Sequence, residues 1–214
     1  MKPKEFSNIV AAIVILAVVI GFQFPFDKFL EFENLAKSLF FSAVIIFVSV
    51  VAKKGAANKL DADVEHELWR WQRFGYKPHH YLKEGLPAGI ALPLFFSLFS
   101  LGSLKVMALL NYYAAPLRRR AARRFGYYSY GELSEYHNGL IGAAGIAAVL
   151  VLSFISYFIP GVSMLAKYSA YYAFWNMLPI SYLDGTQIFF GSRVLWLTLA
   201  IFAIVFTAFA IIVP

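Results

Sequence analysis

Six apolar, largely uncharged stretches of near membrane-spanning length punctuate this chain, and they limit its fold more than any other feature. They lie at roughly Asn8–Phe26, Leu35–Ala52, Leu86–Leu110, Gly139–Ile159, Leu165–Leu183 and Val194–Val213. A helix needs about 20 apolar residues to cross the hydrocarbon of a bilayer. Within lipid, a segment must also satisfy its own backbone polar groups, which leaves helices as the spanning elements here. With 60% hydrophobic and only 14% charged residues in 214, a soluble domain is excluded. The expectation is an all-α polytopic transmembrane bundle, one integral membrane domain over residues 1–214, with five to six membrane segments.

Charge sets the topology. The net charge of +7 would point to nucleic acid in a soluble protein. Here most of it falls between spans, where it reads as retention on the cytoplasmic side and attraction to anionic lipid headgroups. Lys53, Lys54, Lys59, Arg70, Arg73, Lys77 and Lys83 follow the second stretch, and Arg118, Arg119, Arg120, Arg123 and Arg124 follow the third. By the positive-inside rule both groups belong on the cytoplasmic side, and a straight crossing by the third stretch would separate them. Pro87, Gly89, Pro93, Gly102 and Lys105 interrupt it, and we read 86–110 as a re-entrant or broken hairpin inside a basic cytoplasmic insert at about 53–137. The N-terminus is then cytoplasmic and the acidic Asp27–Glu33 loop is outside. The first stretch has no small-residue cleavage site and reads as a retained anchor.

Inside the insert, Asp61–Gly75 reads as a polar helix with Leu60, Val64, Leu68 and Trp71 on one side. Ser129 and Ser134 are candidate caps for the next span, and Gly142-Ala143-Ala144-Gly145 at its start favours close helix packing. Trp69, Trp71, Tyr112, Tyr113, Tyr127, Tyr128 and Tyr130 read as interfacial anchors. No internal repeat supports a transporter.

Cysteine is absent, so a transition-metal site would have to use histidine and carboxylate. Asp184 is the only acid after Glu135. A carboxylate at membrane depth is costly and marks a functional position, with Arg193 or Lys53 as the candidate counter-ion. It closes the run Asn176-Met177-Leu178-Pro179-Ile180-Ser181-Tyr182-Leu183-Asp184-Gly185, in which Asn176 and Pro179 predict a locally opened helix.

The pattern Asn-x-x-Pro-x-x-x-Leu-Asp-Gly resembles the second signature of site-2 proteases, polytopic zinc metalloproteases that cut transmembrane substrates. The resemblance implies that Asp184 is a zinc ligand and that Asn176, Pro179 and Gly185 belong to a substrate groove. It also implies a His-Glu-x-x-His helix, with two imidazoles one turn apart and the Glu activating water.

Two registers compete for that helix. His66-Glu67-Leu68-Trp69-Arg70 supplies a His-Glu pair, with Glu67 as the catalytic base and His66 as a ligand, but places a cation at the second ligand position. The plainer reading is a solvated helix laced by charges at helical spacing. The other register, Ser49-Val50-Val51-Ala52-Lys53, ends an apolar span on the correct side, followed by the Lys- and Ala-rich stretch that resembles archaeal-type members. Ser49, Val50 and Lys53 then stand where the two His and the Glu would be, a degenerate motif. Two or three of His66, His79, His80 and His137 converging with Asp184 would satisfy a tetrahedral zinc, although nothing in the spacing predicts their convergence.

The leading expectation is a site-2 protease-like membrane protein, catalytically degenerate, that binds or regulates transmembrane proteins and contacts anionic headgroups, with no nucleic-acid partner. It would reside in a prokaryotic, archaeal-type cytoplasmic membrane. The alternative is an active intramembrane zinc metalloprotease using Asp184 and histidines of the insert. Zinc is the cofactor of an active form, and the degenerate form needs none.

Overall fold

The structure, a computed structural model, describes residues 2–22, 31–73, 80–117 and 133–212. The Arg118–Arg124 cluster, Lys77, His79, Asp27, Tyr127, Tyr128, Ser129 and Tyr130 lie outside the described residues.

Four helices are long and apolar enough to cross a membrane: α1 (Pro3–Gly21), α2 (Phe32–Lys59), α4 (Glu135–Tyr157) and α7 (Arg193–Ile212). They mark a mostly helical membrane bundle. Pro3 opens α1, where its missing N–H costs nothing and its fixed φ suits the first turn. α2 has 28 residues, about 42 Å at 1.5 Å per residue, so it overruns a hydrocarbon layer of roughly 30 Å. Ser134 caps α4 by accepting from the His137 backbone N–H. α7 buries only Ala200 and Ala203, as expected of a helix whose outer face meets lipid.

The remaining stretches are shorter than their apolar runs. The fifth gives α5 (Ser163–Met177), a helix of 15 residues that ends where Pro179 cannot continue it. A non-helical link, with Ser181 at φ +53, leads to the eight-residue α6 (Asp184–Gly191).

The third stretch forms α3 (Ala88–Phe99), with Pro93 inside it, then a turn and an extended return. The turn uses left-handed conformations at Leu101 (φ 52) and Gly102 (φ 82), and Gly102 N–H closes onto the Ser97 carbonyl at 2.8 Å, a Schellman-type stop. Lys105 then donates to the carbonyls of Val19, Ile20 and Phe22 at 2.9, 2.9 and 3.1 Å, tying the turn to the C-terminal end of α1. The two ends of the hairpin meet at Trp69, which donates to the Leu109 carbonyl while its own carbonyl accepts from Gly89, both at 2.8 Å.

The insert departs from the expected polar helix. Asp61, at φ +51, stops α2, and the chain continues as β1 (Ala62–Leu68). This strand pairs antiparallel with β4 (Leu110–Pro116) in the register Ala62↔Pro116 to Leu68↔Leu110. A second pair joins β2 (Trp71–Arg73) to β3 (Tyr81–Leu86). The misreading has a simple cause. Leu60, Val64 and Leu68 recur every four residues, a spacing that satisfies both helical and strand periods. The decisive partner, β4, lies more than forty residues away in sequence.

α4 sits at the centre, packed against α2, α5 and α6. A Cβ at Gly145 would come within 2.5 Å of the Lys53 Cε, and one at Gly142 within 2.7 Å of the Tyr112 hydroxyl. The small residues of α4 therefore admit two large side chains to the middle of the bundle.

Candidate functional site: a buried ion pair

Ser49 and Lys53 are one turn apart on α2, share its inner face, and are each 1% exposed. Asp184, the first residue of α6, is fully buried. Lys53 Nζ lies 2.5 Å from Asp184 Oδ2. Of the two counter-ions considered from sequence, Lys53 is the partner, while the Arg193 guanidinium sits 5.7 Å over the Phe189 ring. The contact is ionic, without the angles of a directional hydrogen bond, and Oδ1 has no donor among the described residues.

Several features hold the pair. The partial positive charge at the start of α6 favours a carboxylate there. Lys53 Nζ lies 5.0 Å from the centre of the Tyr112 ring, within reach of its negative face. Tyr112 is fixed by donating its hydroxyl to the Asn138 carbonyl at 2.6 Å, and its own carbonyl accepts from Gln187 Nε2 at 2.9 Å. The strand β4 thus bridges α4 and α6 around the pair. Gly185 must be glycine, because a Cβ would lie 2.1 Å from the Met177 carbonyl oxygen.

Of the predicted groove residues, Asn176 and Gly185 are buried and engaged internally. Asn176 Nδ2 donates to the Met107 carbonyl at 3.1 Å and to that of Tyr172 at 2.9 Å. The extended return of the α3 hairpin therefore lies against the end of α5. The Met177 carbonyl, left over where α5 stops, accepts from Trp196 Nε1 at 3.0 Å. Pro179 is exposed.

The described histidines do not gather at Asp184. His66 is buried on β1 and its Nδ1 lies 3.0 Å from Glu5 Oε1. Glu5 also receives Lys54 Nζ at 2.7 Å from Oε1 and 2.9 Å from Oε2. Burial, and next the nearby Lys53 charge, push the His66 imidazole down to about 4, against the opposing pull of Glu5. It is neutral at ordinary pH. Glu67, its neighbour on a strand, points the other way and is exposed, so the two do not share a face. His137 sits at the start of α4 against the Ser134 hydroxyl. His80 precedes β3.

Among the described residues no group of three or more His, Asp or Glu could hold a metal ion. The donor set around Asp184 does not fit zinc: an ammonium faces the carboxylate where imidazoles would be needed, and a cation repels a dication.

Sequence reasoning missed the Glu5–His66–Lys54 cluster. Glu5 is 4% exposed although it lies in the first turn of α1. An acid at the head of an apolar helix was the one local signal, and sequence separations of 61 and 49 residues hid its partners.

No family model matches the chain, and neither a curated protein nor a solved structure is significantly similar to it.

Proposed function

We propose that this chain is a site-2 protease-like integral membrane protein in which an ion pair stands in place of the zinc centre, and that it binds or regulates transmembrane proteins without cutting them. The observation that carries the reading is the Lys53–Asp184 pair. Lys53 holds the second histidine position of the degenerate register, and it meets the one carboxylate that the family pattern makes a ligand. A fixed cation offers Asp184 the charge compensation that zinc would supply, with no water to activate. In this reading the N-terminus is cytoplasmic, the membrane is an archaeal-type cytoplasmic membrane, and the α3 hairpin is re-entrant.

The active-protease alternative is supported less. It needs His66 and Glu67 together at Asp184, and they lie on opposite faces of β1 with His66 committed to Glu5.

The test restores the motif. Purified wild-type protein is expected to carry no stoichiometric zinc by elemental analysis. The triple substitution Ser49→His, Val50→Glu, Lys53→His is expected to gain one zinc, lost again when Asp184→Ala is added. Stoichiometric zinc in the wild type that disappears with Asp184→Ala would overturn the proposal, as would a folded triple variant that takes up no zinc.

A further inference from the structure

The β2–β3 pair forms a cleft that neither the ion pair nor the groove uses. Its described lining is Arg70, Gln72, Lys83, Gly85 and Pro87, around a volume of about 460 Å³. The cleft follows from an irregular pairing. Trp71 pairs with Leu86 and Arg73 with Tyr81, so two steps along β2 face five along β3, a bulged register. Gly85 forms the close approach: a Cβ there would lie 2.9 Å from Gln72 Cγ and 3.1 Å from Arg70 Cβ.

The chemistry of the lining is one-sided. Arg70 and Lys83 are both exposed, and no carboxylate is among the described lining residues. Gln72 adds an amide donor. The surroundings are apolar. Trp71 and Leu86, which alternate with the lining residues and so project from the other face of the β2–β3 pair, are 38% and 54% exposed. Pro87 leads directly into α3, which presents Phe95, Leu98 and Phe99 outward. A polar, cationic cleft thus opens at the head of a hydrophobic helix, and the half-exposed Trp71 ring packs 5.8 Å from the buried Trp69 ring.

We propose that this cleft is a phosphate site for an anionic phospholipid, with the headgroup phosphate held by Arg70 and Lys83 and the acyl chains lying along the exposed face of α3. A guanidinium fork and an ammonium are matched to phosphate oxygens, and a free phosphate would have no use for the apolar wall beside them. The inference rests on the membrane character of the chain and is independent of the protease-like reading. It would stand if zinc were found.

The test uses the full chain in a neutral detergent. Dihexanoyl phosphatidic acid, kept below its micelle concentration, is titrated calorimetrically beside dihexanoyl phosphatidylcholine and inorganic phosphate. Saturable binding of the phosphatidic acid, weaker binding of phosphatidylcholine and weaker binding of inorganic phosphate are expected. Arg70→Gln with Lys83→Gln should weaken binding roughly tenfold to thirtyfold, the scale of two basic residues at an anionic surface. The melting temperature without lipid should stay unchanged, since neither side chain is buried. Gly85→Val, which crowds Gln72 and Arg70 without altering charge, should weaken binding too. Equal binding by wild type and the double variant would overturn the site. Inorganic phosphate binding as tightly as the phosphatidic acid would overturn its assignment to lipid.

Discussion

Removing Lys53 should destabilise the protein far more than removing an exposed lysine, and the cost should vanish when Asp184 is neutralised at the same time. At 2.5 Å, with exposures of 1% and 0%, the gross attraction is about 7 kcal/mol for an effective dielectric of 20. Desolvation of both ions offsets most of it, so the pair contributes little net stability compared with neutral residues of the same shape. Lys53→Met is different, because it leaves the Asp184 carboxyl buried and without a cation. Such a loss costs about 3–5 kcal/mol, which for a chain of this size is a melting-temperature drop of roughly 6–20 °C. Asp184→Asn, which strands the ammonium, should cost a similar amount. The double variant Lys53→Met, Asp184→Asn should return to within about 1–2 kcal/mol of the wild type. The assay is thermal unfolding of the four proteins in one detergent, read as a double-mutant cycle. Additive losses in the double variant would refute the pairing. A Lys53→Met protein as stable as the wild type would refute the burial argument.

Other outcomes can be checked in the same preparations. Since the folded His66 imidazole titrates near 4 and an unfolded one near 6.5, its contribution to stability is complete above about pH 6.5 and falls as the pH drops towards 4. At pH 5 the loss is about 2 kcal/mol, and His66→Gln should flatten that part of a melting-temperature profile. Lys105→Met releases three carbonyls at the end of α1 and should cost roughly 1–3 kcal/mol, with faster hydrogen exchange confined to the hairpin turn and the last turn of α1. Uniform exchange changes would show that Lys105 does not fasten those two parts. Gly145→Leu should unfold the centre of the bundle or expel Lys53, since even a Cβ would meet the lysine stem. A Gly145→Leu protein with wild-type melting temperature would contradict the close α2–α4 packing.

The spans were legible because bilayer crossing is a local demand. A run of apolar residues either reaches the required length or does not, and α1, α2, α4 and α7 each arise on one of those stretches, with α1 starting earlier, at Pro3, and α2 running on to Lys59. The small residues of α4 were legible for a similar reason, since close approach needs glycine. The opened end of α5 followed from Pro179, and Asp184 stood out because a charge at membrane depth is costly. Lys53 and Arg193 were equally good counter-ions on paper, both lying at the same boundary.

Only the tertiary structure chose between them, because the choice depends on how α2 and α6 are placed against α4, and residues 131 positions apart carry no local record of that. The same holds for β1, whose apolar spacing of four suits helix and strand alike until β4 is beside it. It holds for Glu5, buried at the head of α1 by partners on α2 and β1. Composition and spacing determined which segments leave water. The pairing of the few charges they carry was decided by three-dimensional packing, since a buried ion is stable only beside its counter-ion and the chain can bring one from any distance.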